Sequence, residues 1–347
     1  MCGVLGRKPD FFYDNDKRKW GQVFAGIRCL SHNELIALPK NSKIIFSTRS
    51  AEKIHSQFLD RRFDSVHAFI FERNEASIKG IYDITRIALE RENLPTACKD
   101  VKNSWCYISG ASRGIGAFIA DQCANLGINL VIQARNKDLL EQKQSELSKK
   151  GVEVLACVAE FSTPRGLDQH CQWISKECPK LDFAFLNAGI SQQPEEGGFF
   201  EGSTDGWIAT QQVNLIAPWR ITRNLIVSKL INKSGKVFFV SSSISGRLQE
   251  SAYSCSKAAL SKLVYDLSEN ANKLSLDFCL IDPGWVDTDM GGKFASNKVE
   301  TLFPGVIFPI LSTHSCNGSW ISAQDYTGFT AKEAIKRALH LGDLKEA

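Results

Sequence analysis

The chain offers no stretch of ~20 apolar residues of the kind that crosses a bilayer. Its longest apolar run, around Phe303 to Leu311, is broken by Pro304, Gly305 and Pro309, so no membrane partner is expected. None of its eleven cysteines falls in a CxxC spacing, their number is odd, and the first dozen residues carry no apolar leader. A disulfide framework and secretion are therefore not expected, and reduced thiols in a cytoplasmic protein are. The six histidines (32, 55, 67, 170, 314 and 340) are dispersed, and His170 beside Cys171 is adjacent rather than ligand-spaced, which leaves metal chemistry without support. The excess of one charge sign over the other is also small. A net charge of +4 with scattered lysines and arginines argues against a nucleic-acid partner. What remains, 43% hydrophobic and 23% charged residues over 347 positions, is an ordinary globular balance in a chain long enough for two domains.

The hydrophobic pattern divides near residue 100. Residues 43–47 and 66–71 read as strands, 51–63 and 75–92 as helices, which makes a small βαβα unit over residues 1–100. Residues 93–103 mix a proline with polar residues and read as a linker. From residue 101 to 347 the alternation is sustained. Strands are expected at 105–108, 129–133, 152–158, 183–186, 237–240 and 276–281, with amphipathic helices between them. Right-handed crossovers then give a doubly wound parallel sheet, a Rossmann fold of α/β class, with its ligand at the C-terminal strand ends.

Directly after the first of these strands comes Ser109-Gly110-Ala111-Ser112-Arg113-Gly114-Ile115-Gly116. Glycines between a strand and a helix let the backbone turn tightly and approach a pyrophosphate, whose charge is met by free N–H groups at the helix start. The spacing is GxxxGxG rather than GxGxxG. Arg113 stands in this turn and Arg135 ends the second strand, where no acid is present to bind a ribose 2′-hydroxyl. Arginine suits a 2′-phosphate, so NADP (NADPH) is expected over NAD, with both arginines as plain surface residues the alternative.

Tyr253 and Lys257 lie one turn apart on an expected helix. A nearby cation favours phenolate, which brings a phenol of pKa ~10 toward acid/base work at neutral pH. Tyr13 and Lys17 share the spacing without a glycine turn nearby and are taken as chance. Ser241, Ser242 and Ser243 end an apolar strand at the same rim, where a hydroxyl can orient a substrate oxygen or simply satisfy the turn.

Together these residues resemble the short-chain dehydrogenase/reductase (SDR) family over roughly 103–330. The glycine turn, Asn187-Ala188-Gly189, Asn214, the serine strand end, the Tyr253/Lys257 pair and Pro283-Gly284-Trp285-Val286-Asp287-Thr288 occur in the family's order. The resemblance implies that Tyr253 is the general acid or base, that Lys257 binds the nicotinamide ribose and lowers the tyrosine pKa, and that Asn214 holds a relay water. It implies Ser242 as the substrate-orienting serine, with Ser243 the alternative. Gly110, Ser112, Arg113, Gly114, Ile115, Gly116 and Arg135 would bind cofactor. Asn187, Ala188 and Gly189 would pass the adenosine ribose, Pro283, Gly284 and Thr288 the nicotinamide, and Glu160 would stand where the family often has an aspartate near adenine. Asn317–Gly328 and the segment after Pro283 look most like small carbonyl reductases. Phe294, Phe303, Ile307, Phe308 and Ile310 would form an apolar lid or an interface, and helices after Asn214 and Tyr253 would mediate self-association.

The activity expected is NADP-dependent interconversion of a small-molecule carbonyl and its alcohol. A non-catalytic NADP-binding regulatory scaffold and a nucleotide-sugar epimerase or dehydratase are the alternatives. Residues 1–100 carry no recognised chemistry, and Lys17-Arg18-Lys19, Arg61 and Arg62 read as solvated charge.

Overall fold

The computed structural model describes residues 98–191, 203–242 and 251–345, together with six strands between residues 11 and 80. The chain separates into two compact units, Met1–Leu94 and Pro95–Ala347. The expected helices at 51–63 and 81–92, the Lys17–Lys19 and Arg61–Arg62 charges, and Ser243 lie outside the described residues.

In the first unit, β1 (Phe11–Tyr13), β2 (Val23–Phe24) and β3 (Ile27–Leu30) form a sheet of order β1-β3-β2, and β4 (Lys43–Ser47), β5 (Ser65–Glu72) and β6 (Glu75–Gly80) form a second of order β4-β5-β6. The strand pair β4 and β5 is parallel, as a crossover requires. Residues 75–80 correct the sequence reading: they are a strand, not the start of a helix. β6 runs antiparallel to β5 with Ala76 opposite Phe71 and Ile78 opposite Phe69. The period-two alternation of these residues was hidden by the helix-like composition that follows.

The second unit alternates strand and helix: β7 (Trp105–Ser109), α1 (Gly114–Asn125), β8 (Asn129–Ala134), α2 (Lys137–Ser148), β9 (Val154–Val158), α3 (Pro164–Glu177) and β10 (Leu181–Leu186). It continues with α4 (Thr204–Gln211), a π-turn at Gln212–Ile216, α5 (Ala217–Val227), β11 (Ile231–Val240), α6 (Ser251–Glu269), α7 (Ala271–Leu274), β12 (Asp277–Asp282), α8 (Phe308–Leu311), β13 (Trp320–Ser322) and α9 (Ala331–Leu341). The seven strands form one parallel sheet of order β13-β12-β11-β10-β7-β8-β9. Strands after β7 step to one side and strands from β10 step to the other. The crevice between the C-terminal ends of β7 and β10 is the topological switch point where such folds bind ligands.

Helices on both faces bury the sheet, so its central strands are apolar on both sides. All six residues of β8 are buried, and Tyr107, Phe183, Phe185, Phe238, Phe239 and Phe278 fill the layers beneath the helices. His170 of α3 belongs to this core. Its Nε2 lies 2.8 Å from the Tyr107 hydroxyl, and burial lowers its pKa to about 3, so it stays neutral.

The segment between β12 and β13 corrects a second expectation. Ile307, Phe308 and Ile310 are fully buried, with the Phe308 ring 4.5 Å from that of Tyr326, so these side chains are core rather than lid or interface. Lys236 explains how the segment is held: its buried ammonium donates to the carbonyls of Pro309, Ser312 and His314 at 2.9, 3.0 and 2.8 Å. Phe294, by contrast, is 91% exposed.

Candidate active site

A cleft of about 800 Å³ opens at the switch point, within the range for small-molecule sites. Its floor is built by hydrogen bonds that tie the strand ends together. Ser109 Oγ accepts from the N–H groups of Asn187 and Ala188, both at 3.0 Å. The Asn187 amide donates back to the carbonyls of Ser109 and Gly110 at 3.0 and 3.2 Å. Asn187 thus lines the cleft while spending its side chain on joining β10 to β7. Gln133 does the same from β8, accepting from Gly110 N–H at 3.2 Å and donating to the Ala159 carbonyl at 2.7 Å.

The glycine turn needs its glycines. Gly110 has φ +67°, and a Cβ on Gly116 would sit 2.2 Å from the Gly110 carbonyl oxygen. The turn can therefore fold onto itself only without a side chain there. Helix α1, which it opens, has no side-chain N-cap and no acid in its first turn. Helices α2, α3, α4 and α9 are capped by Asn136, Thr163, Ser203 and Thr330. The uncapped end of α1 leaves donors and a positive dipole end facing the cleft, which is what an anionic ligand such as a pyrophosphate requires.

Across the cleft stands α6. Lys257 is buried at its base, donates to the Val240 carbonyl at 2.8 Å, and lies 5.6 Å from the centre of the Tyr253 ring. Burial lowers its pKa to about 8. Asn214 sits in the π-turn, a helix irregularity that turns its side chain inward. It accepts from Ile190 N–H at 2.8 Å and donates to the Ile190 carbonyl and to Ser256 Oγ at 2.9 and 3.0 Å. A Cβ on Gly189 would lie 3.4 Å from Asn214 Oδ1 and 3.7 Å from Lys257 Nζ, so these three residues meet at one point.

Of the residues singled out from the sequence, all but Gly116 and Asn214 line the cleft directly, and those two stand immediately behind it. Arg135 is exposed at the end of β8, while Arg113 is ion-paired with Asp289. Glu160 accepts from Ser162 N–H at 2.9 Å and shapes the turn beside it. Ser242 lines the cleft at the end of β11. Sequence reasoning missed Gln133, Ile190, Asp289 and Met290, which also line it. Gln133 had a signal, a long polar side chain inside an otherwise apolar strand. Asp289 and Met290 had only their position after Thr288.

A family model described as short chain dehydrogenase matches residues 104–299. The chain belongs to the short-chain dehydrogenase family. This is a family of NAD(P)-dependent oxidoreductases. Among relatives, a fatty acyl-CoA reductase of Acinetobacter baylyi is 29% identical over 219 residues, covering 62% of this chain and 70% of that protein. The uncharacterized oxidoreductase YmfI of Bacillus subtilis is 30% identical over 208 residues, covering 58% and 82%. A short chain dehydrogenase from Burkholderia cenocepacia, solved in complex with NADP, superposes with a TM-score of 0.59 at 21% identity, covering 65% of this chain and 97% of that one. The short-chain dehydrogenase match leaves residues 1–103 outside it. Among the described residues no helix is long and apolar enough to cross a membrane, and no group of three or more His, Cys, Asp or Glu is placed to hold a metal ion.

Proposed function

We propose that this chain is an NADP-dependent oxidoreductase that interconverts a small-molecule carbonyl and its alcohol, with Tyr253 as acid and base. The observation that carries the reading is the convergence of Tyr253, Lys257 and Asn214 on the cleft whose other end is the uncapped glycine turn. The residues fit the cofactor: the turn leaves space beside Gly114, where a Cβ would meet nothing nearer than Thr288 Cγ2 at 3.4 Å. Gly110, Ser112, Gly114 and Ile115 would hold the pyrophosphate end, with Gly116 letting the turn close. Glu160, Asn187, Ala188 and Gly189 would flank the adenosine, and Pro283, Gly284 and Thr288 the nicotinamide. Bound there, NADPH supplies a hydride to the carbonyl carbon.

The chain's own residues supply the rest. Ser242 donates a hydrogen bond to the carbonyl oxygen and holds it toward Tyr253. Tyr253 gives its phenolic proton to that oxygen, and takes one from the alcohol in the reverse direction. The Lys257 ammonium, close behind the ring, favours the phenolate that this transfer leaves. Asn214 fixes the backbone at Ile190 and so holds the wall against which substrate and nicotinamide would meet. Arg113 and Arg135 favour a 2′-phosphate, and hence NADP over NAD.

The test is NADPH consumption by the full chain against a panel of ketones, aldehydes and sugar-derived carbonyls, with NADPH binding measured in parallel. Turnover with any of them supports the reading. Tight NADPH binding with no turnover across the panel would replace it with a non-catalytic scaffold.

A further inference from the structure

The mouth of the cleft is bridged by an ion pair that the mechanism does not use. Arg113, in the glycine turn, is paired through Nη1 with the carboxylate of Asp289, in the loop after β12. The two side chains come from opposite walls and are 58% and 69% exposed, so neither is held by burial. Their supports differ. Asp289 rides on a tight turn in which Thr288 Oγ1 accepts from Gly291 N–H at 3.0 Å, the Thr288 carbonyl accepts from Gly292 N–H at 2.8 Å, and Trp285 Nε1 donates to the Gly291 carbonyl at 2.7 Å. The turn is close-packed, since a Cβ on Gly291 would lie 2.0 Å from the Val286 carbonyl oxygen. Arg113 sits in extended backbone just ahead of α1, and its long side chain makes no capping hydrogen bond to that helix. Arg135, after β8, and Glu160, after β9, also line the cleft.

We propose that Asp289 is a specificity-determining residue: it competes with the 2′-phosphate of the cofactor for Arg113, and so sets how strongly the protein prefers NADPH to NADH. The inference rests on the reading of the cleft as a dinucleotide site and deepens it. The pair aims the Arg113 guanidinium toward the loop after β12, on the other side of the switch point from the end of β8 where Arg135 stands and a 2′-phosphate would lie. A phosphate of charge near −2 outbids a single carboxylate, but each binding of a 2′-phosphorylated nucleotide first breaks the Arg113–Asp289 pair. A nucleotide with a 2′-hydroxyl makes no claim on Arg113 and leaves the pair intact. Asp289 therefore lowers NADPH affinity and leaves NADH affinity where it was, narrowing the preference that Arg113 and Arg135 create.

The experiment is calorimetric titration of the full chain with NADPH and with NADH, for wild type, Asp289→Asn, Arg113→Gln and the double variant, at low and at physiological salt. An exposed pair of this kind is worth a factor between about 1.5 and 5. Asp289→Asn is expected to tighten NADPH about threefold, leave NADH unchanged within error, and show no effect in the Arg113→Gln background. Added salt should shrink the gain. Three results overturn the proposal while leaving the dinucleotide reading standing. Equal tightening of both nucleotides, or a gain that survives in the Arg113→Gln background, would show that Asp289 acts as a through-space charge. Equal weakening of both would show that the pair serves to close the loop. Failure of wild type to bind either nucleotide would instead sink the dinucleotide reading itself, and this proposal with it.

Discussion

Replacing Lys257 by methionine keeps an unbranched stem of similar length inside the protein and removes the ammonium. The structure gives the size of the effect. Burial lowers the Lys257 pKa from 10.5 to about 8, so the charged form is disfavoured by about 3 kcal/mol relative to the unfolded chain. Against that relief stands the lost hydrogen bond to the Val240 carbonyl at 2.8 Å, worth about 1–2 kcal/mol. Lys257→Met should therefore stabilise the nucleotide-free protein at pH 7 by about 1–2 kcal/mol, which for a unit of this size raises Tm by about 3–6 °C. The sign with pH follows from the depressed pKa. Between about pH 8 and 10.5 the unfolded chain keeps the Lys257 proton while the folded chain gives it up, so wild-type stability gains as pH rises through that window. At pH 10 the penalty on the wild type has fallen to about 1 kcal/mol, and the advantage of the variant should vanish. Groups that titrate elsewhere act on both proteins alike, so the difference in Tm between them is the quantity to follow, at pH 7 and at pH 10. Under the proposed mechanism the same variant loses turnover. A variant that melts below wild type at pH 7, or a difference that does not change with pH, would refute the reasoning.

Gly116→Ala places a Cβ 2.2 Å from the Gly110 carbonyl oxygen and 2.5 Å from Asn187 Nδ2, forcing the turn open. It should cost about 1–3 kcal/mol of stability by thermal melting and weaken NADPH binding by at least about tenfold in titration. Asn214→Ala strips both the N–H and the carbonyl of Ile190 of their partner. A loss of about 2–5 kcal/mol is expected in urea unfolding, and it should come with weaker nucleotide binding because the cleft wall at Gly189 and Ile190 loosens.

Much of the second unit can be read from its sequence because its signals are local. Apolar strands, a glycine turn between a strand and a helix, and a Tyr/Lys pair one turn apart each declare themselves within a few residues. The six longer strands of the large sheet are of this kind. The seventh, Trp320–Ser322, is three residues long and has no period to detect. Whether an apolar run is core or surface depends on what packs on it. Phe308 reads as part of a lid or an interface from sequence, yet its burial follows from Tyr326 and the Lys236 clamp, neither of which lies near it in the chain. The π-turn around Asn214 and the ion pair between Arg113 and Asp289 are likewise products of tertiary structure. The sequence separation of 176 between Arg113 and Asp289 explains why no motif joins them.

The central claim is that Tyr253 transfers the proton that accompanies hydride. It is tested most directly by comparing wild type with Tyr253→Phe on the carbonyl that turns over fastest, measuring kcat and NADPH affinity together. General acid catalysis contributes about 10²–10⁴ in rate, so kcat should fall by at least about 100-fold while NADPH binding stays within about twofold of wild type. Equal kcat in the two proteins would contradict the account.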